Sequence, residues 1–219
     1  MRRFPLLLPA AVLCGCVSVP HQAIDTTAGS ELSGQTVIYT THKKPDFIAM
    51  NAGKAMFGLL GLSAMVHTGN NLVKENHIDD PAERIADALA KALETANGAH
   101  LVVPPLHIPP HMDNPAQVSA AVGSRARFVL DVQTLGWSFA YFPTDWNNYR
   151  VVYFAKARLI DASTKTVIAQ GECKHSPEET PDAPSRDALL ANSAERLKQE
   201  LLVAADACVA TLKRDMLRL

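Results

Sequence analysis

The chain lacks a surplus of either charge: 22 acidic residues stand against 21 basic ones, for a formal net charge of −1. The two signs are interspersed and form no basic stripe, which excludes nucleic acid as a partner. Aromatic residues are few, at 6%, so their concentration in one stretch carries meaning. There are only 4 cysteines and no CxxC spacing, which removes the zinc-ribbon class. The N-terminal apolar run, Phe4 to Leu13, has 10 residues, whereas a spanning helix needs roughly 20. It reads as a leader and not as a permanent anchor.

The first residues supply the clearest signal. Arg2 and Arg3 precede the apolar run, and Leu13, Cys14, Gly15 and Cys16 follow it, the layout of a secretory signal. These four residues resemble the lipobox of bacterial lipoproteins, with Cys14 in a place usually held by Ala or Ser. The resemblance implies cleavage after residue 15, lipidation of Cys16, and three acyl chains in the bilayer, where two already anchor stably. Val17, in place of the Asp that retains such proteins at the inner membrane, implies the outer membrane, periplasmic face.

About 200 residues remain after cleavage, enough for one domain with a real core. Residues 16–35 are small, polar and without period, as in a flexible tether. In the mature chain only Cys173 and Cys208 accompany Cys16, and an oxidising compartment makes an even pair a disulfide. Cys173 ends TVIAQGEC, which places Val167, Ala169, Gly171 and Cys173 on one strand face. Cys208 belongs to the helical stripe Leu190, Leu197, Leu201, Ala204, Cys208 and Leu212.

TVIYTTH, residues 36–42, reads as the first strand, and residues 45–66 read as an apolar, glycine-rich helix stopped by HTGNN. Asp80 is the expected N-cap of the next helix, with Pro81 at its first position, Glu83 completing a capping box, and Asn97-Gly98 ending it. HLVVP is a short strand, and PAQVSAAVG a short helix. Two long strands joined through FPTDWN, a third after a tight turn at 161–165, and a helix over 185–218 close the chain. The pattern predicts a single α+β domain over 36–219: a mostly antiparallel sheet with a three-stranded C-terminal meander, helices packed on one face, and a long C-terminal helix. This element order, with the lipobox, resembles periplasmic accessory lipoproteins such as the transport-auxiliary lipoproteins and the domain shared by the N-terminal region of TolB and the curli-export lipoprotein. The resemblance implies a scaffolding or assembly role and carries over no functional residue.

Motifs for chemistry fall short. Gly61 to Met65, GLSAM, approaches the G-x-S-x-G nucleophile elbow but ends in Met65, and Ser63 has helical flanks where strand, turn and helix are required. Gly53-Lys54 lacks the upstream glycine of a phosphate loop, and Ala55 replaces its hydroxyl. His107 and His111 with Asp113 could ligate a metal, but Pro109 and Pro110 forbid the helix that would align the two rings. No catalytic residue, metal or cofactor is expected.

Surface contact is the better expectation. Trp137, Phe139, Tyr141, Phe142, Trp146, Tyr149, Tyr153 and Phe154 crowd one hairpin. They serve either as core under the helices or as a partner-binding tip made of Trp137, Tyr141, Phe142, Trp146 and Tyr149. The stretch AGKAMFGLLGLSAMV, Ala52 to Val66, has three readings: a buried packing helix, an oligomer or membrane-surface contact through Gly58 and Gly61, or an inserted segment. The combined expectation is an outer-membrane lipoprotein, non-enzymatic, serving an envelope transport, secretion or assembly system. Its partners would be the membrane, through its lipid, and an envelope protein or further copies of itself.

Overall fold

In the computed structural model, residues 20–109 and 112–219 are described; the lipobox and His111 lie outside them. Among the described residues the α-helices and strands are, in order, α1 Thr26–Glu31, β1 Thr36–His42, β2 Phe47–Ala49, α2 Ala52–Ala55, α3 Gly58–Glu75, α4 Pro81–Asn97, β3 His100–Leu101, β4 Leu106–Ile108, α5 Pro115–Val122, β5 Phe128–Tyr141, β6 Tyr149–Asp161, β7 Thr166–His175 and α6 Arg186–Leu212. The sheet runs β3-β1-β5-β6-β7, with β4 beside β1 and β2 beside β5. β1 pairs in parallel with β3, β4 and β5, and β2 in parallel with β5, while β5, β6 and β7 form the expected antiparallel meander. The α+β class stands, with a mixed sheet.

Alternation along the strands divides two cores, because successive side chains point to opposite faces. Val37, Tyr39, Phe128, Leu130, Val132, Ala157 and Leu159 meet α4 and α6 on one face, against Ile85, Leu89, Leu93, Leu197, Leu201 and Ala204. Their neighbours Ile38, Val129 and Ile160 point the other way and meet Ile108, Val118, Val122 and Ala126. Helix α5 therefore covers the second face, where helices on one face only were expected. Val118 and Val122, four residues apart on α5, form its apolar contact.

The caps Asp80 and Gly98 are those read from sequence, whereas among the described residues Glu83 makes no capping-box bond to the Asp80 amide. Asp80 accepts from the Ala82 amide at 3.0 Å, and Gly98 takes φ +68° at the end of α4, its amide donating to Glu94 O. Helix α6 is interrupted at Ala191–Ala194, with positive φ at Asn192, Ser193 and Ala194, and ends in a π turn over Lys213–Leu217. The paired cysteines are Cys173 of β7 and Cys208 of α6, with Cα atoms 5.3 Å apart.

Two segments correct the sequence reading. The tether expected over residues 16–35 is folded from Gln22 onward, where Gln22 and Gln170 exchange backbone hydrogen bonds of 2.9 and 2.8 Å. Ile24 and Leu32 are buried, and Asp25 caps α1 by accepting from the Ala28 amide. Two aliphatic side chains in a polar stretch, with backbone bonds to Gln170, Met216 and Gly98, dock it. Residues 45–66 are not one helix either. Strand β2 comes first, and the helix after it runs through HTGNN because that motif makes contacts: Asn70 Oδ1 accepts from the Phe47 amide at 2.9 Å, while its Nδ2 donates to Asp46 at 2.8 Å.

Candidate functional site

Strand β2 decides the fate of the aromatic hairpin. Lying beside β5, it sets Phe47 against Trp137 edge-on, with ring centroids 5.0 Å apart, and Pro45 O accepts from Trp137 Nε1 at 3.0 Å. Trp137, Phe142 and Tyr149 are buried, which corrects the expectation that they form a partner-facing tip; they are core. Tyr141 is half-buried between Trp146 and Tyr149, at 6.2 and 6.4 Å. Of the five aromatic residues expected at a contact surface, Trp146 projects freely, 62% exposed. The tip that carries it is held by Asp145, which accepts from the Asn147 amide and from Asn148 Nδ2.

Beyond β2 the chain forms an apolar ledge. Met56, Phe57, Leu59 and Leu60 are 83%, 71%, 84% and 82% exposed, contiguous, and mounted on a rigid base. That base is made by glycine: a Cβ on Gly69 would lie 2.0 Å from Phe47 O, and one on Gly61 would lie 1.8 Å from Lys54 O. Gly58 is different, with φ +56° and open space around it, so it serves a turn between α2 and α3 and packs against nothing. Parallel pairing of β2 with β5, Ala49 opposite Phe139, sends the chain out of β2 toward the hairpin tip. The ledge and Trp146 therefore belong to the same end of the sheet.

This geometry gives a graded expectation. Gly69→Ala and Gly61→Ala force backbone apart and cost on the order of 1–3 kcal/mol, the range for overpacking. Gly58→Ala meets only left-handed strain, at about 1 kcal/mol. Hydrogen exchange of the α3 amides checks this: protection is lost in the first two variants and kept in the third.

The catalytic motifs have no matching geometry. Ser63 is exposed in the middle of α3, without the strained turn of an elbow. Lys54 lies in α2, where its Nζ donates to Thr68 Oγ1 at 3.0 Å.

A polar cluster that sequence reading missed occupies the second face of the sheet. Asp131, fully buried in β5, accepts from Thr40 Oγ1 at 2.7 Å, Gln133 Nε2 at 3.2 Å, and Arg158 Nε and Nη2 at 3.1 and 2.5 Å. His42 Nε2 lies 2.6 Å from the same carboxylate. Burial alone would raise the carboxyl pKa; the His42 hydrogen bond and the Arg158 charge outweigh it and hold Asp131 well below the usual carboxylate range. Above the cluster opens a cavity of about 470 Å³, lined in part by His42, Lys43, Asp80, Asp113, Gln133 and Thr134.

Its acidic groups are already engaged. Asp113 pairs with Lys156 at 2.7 Å and with Arg158 at 3.0 Å. Asp80 accepts from Thr134 Oγ1, which lies 2.8 Å from the Tyr153 hydroxyl, and burial raises the Asp80 pKa. His107 faces Thr41 at 3.4 Å. Among the described residues no group of three or more His, Cys, Asp or Glu side chains could hold a metal. The signal for this cluster was a carboxylate inside the apolar strand RFVLDVQ, opposite Arg158 in register.

No family model matches the chain, and no curated protein does. Solved structures resemble its fold. The PelC dodecamer from Paraburkholderia phytofirmans is 15% identical with a TM-score of 0.39, covering 93% of this chain and 96% of that one. The lipoprotein GNA1162 from Neisseria meningitidis is 10% identical at 0.32, covering 77% and 96%. The LpoB C-terminal domain from Salmonella enterica is 11% identical at 0.29, covering 66% and 84%. At such scores the likeness carries no inference about what this chain does.

Proposed function

We propose that the chain is a lipid-anchored accessory protein of the cell envelope, acting by contact and not by catalysis. Its acyl groups sit on Cys16, at the periplasmic face of the outer membrane, and it serves a transport, secretion or assembly system. The observation that carries this reading is the apolar end of the sheet: four large side chains, Met56, Phe57, Leu59 and Leu60, exposed together on the turn before α3 and the first residues of that helix, which Gly61 and Gly69 seat against Lys54 and Phe47. An exposed apolar cluster of this kind marks an interaction surface. The lipobox-type sequence Leu13 to Cys16 supplies the tether, which replaces a diffusional search by a high local concentration. No helix among the described residues is long and apolar enough to cross a membrane, so in this reading the lipid does the anchoring.

Cys16→Ala tests it. Wild-type chain is expected to incorporate a fatty-acid analogue and to fractionate with membranes; the variant does neither. Cells lacking the chain should show altered envelope permeability that the wild type restores and the variant does not. Unchanged labelling, or full restoration by the unanchored variant, would overturn the reading.

A further inference from the structure

The geometry points to the bilayer itself as the occupant of the ledge: Met56, Phe57, Leu59 and Leu60 rest in the headgroup and acyl boundary of the membrane that holds the lipid. This deepens the proposed function and rests on it, since the lipid on Cys16 is what brings the ledge to the surface. A ledge so placed would give the domain a fixed face toward the membrane.

Shape is the first argument. The four side chains stand out from the start of α3 and its preceding turn, all more than two-thirds exposed, so they protrude and line no groove. A protein partner would have to bring a matching groove and bury on the order of 800 Å² per side for a stable complex, more than four side chains provide. A bilayer conforms to protruding side chains without any complementary surface, and a helix edge rich in Phe and Leu is the form that interfacial segments take.

Charge is the second argument. Between Asp46 and Glu75 there is no carboxylate, and the cationic residues in that interval are Lys54 and Lys74. A segment of this composition meets an anionic phospholipid surface without repulsion. Trp146, exposed at the same end of the sheet, is a residue type favoured at membrane interfaces.

Reach is the third argument. From Cys16 to Gln22 there are 6 residues, which extend at most about 20 Å. Gln22 is fixed beside Gln170 on β7. Strand spacing and rise put Gln170 roughly 30 Å from β2 across the sheet. A lipid on Cys16 therefore keeps β2, from whose end the ledge springs, within about 50 Å of the bilayer at all times, closer than any freely diffusing partner is held.

The test uses the full-length chain in cells grown with radioactive phosphate, carrying benzoylphenylalanine in place of Leu59, or of Leu202 on α6 as an exposed apolar control. Phospholipid captured by the probe brings phosphate into the protein, whereas the acyl modification of Cys16 contains none. After irradiation, phosphate label at position 59 is expected several-fold above that at 202. Equal labelling, no adduct, an adduct of twice the chain mass, or an adduct to another protein would each overturn the ledge inference. Fatty-acid labelling of the same samples separates the two claims. Acylated chain without phosphate at 59 removes the ledge inference alone, and chain without acyl label removes the lipoprotein reading whatever the probe reports.

Discussion

Asp131→Ala is expected to cost about 3–5 kcal/mol, the range for breaking a buried ion pair by removing one partner. Asp131 is fully buried and Arg158 nearly so, and the buried guanidinium would be left with Asp113 as its remaining anion. Against a total stability of about 5–15 kcal/mol for a domain of ordinary size, this is a large fraction. Urea unfolding of the purified protein measures it. Adding Arg158→Met should recover part of the loss, because no charge then remains buried without its main partner. A double variant as unstable as the single one would show that the cluster acts through shape and not through charge.

The same carboxylate sets an acid limb. Its folded-state pKa lies below the unfolded value of about 3.9, so its contribution is complete above that value and is lost as pH falls through the folded one. Asp80 works in the opposite sense. Burial raises its pKa, so its contribution is complete below the unfolded value and is lost as pH rises through the folded one. The wild type should lose stability steeply below about pH 4, and Asp131→Asn should flatten that limb.

How far the sequence disclosed this molecule depends on which distances were local. The caps at Asp80 and Gly98, the β5–β6–β7 meander and the Cys173–Cys208 pair all follow from period, turn chemistry and parity within short windows. Strand β2 was hidden because its 3 residues are too few to show a period, and its neighbour β5 lies some 90 positions away in register. Without β2 the hairpin stayed open between core and partner-binding tip, since β2 is what buries Trp137. The HTGNN motif reads as a stop by composition, and only the tertiary approach of Gly69 to Phe47 O makes it helix interior. The Asp131 cluster joins Thr40, His42, Asp131 and Arg158 from three strands; its one local sign is the carboxylate inside RFVLDVQ, and that segment names none of the partners. The ledge was legible as composition, and what sequence could not supply was the direction in which each side chain points.

Replacing both Cys173 and Cys208 by Ala should remove roughly 4 kcal/mol in the chain-entropy model, for cysteines separated by 35 positions. The melting temperature of a domain this size would fall by on the order of 10 °C. The bond joins β7 to the second half of α6, where Leu201, Ala204 and Leu212 already pack on the sheet and Gly171 lets Met216 and Leu212 approach. The helix should thus stay docked in the variant at low temperature and detach first on heating. Compartment makes the bond informative about location as well. If residues 1–15 direct export as proposed, a chain made without them stays in a reducing environment, where such pairs remain thiols; it should show titratable thiols at Cys173 and Cys208 besides that of Cys16 and melt with the double variant. The exported wild type should show neither thiol and melt higher. If reduced and oxidised forms melted alike, the apolar contacts of α6 would hold the helix by themselves and the bond would add nothing to stability. If the exported protein kept both thiols, the oxidising periplasmic setting inferred from the N-terminal sequence would be wrong.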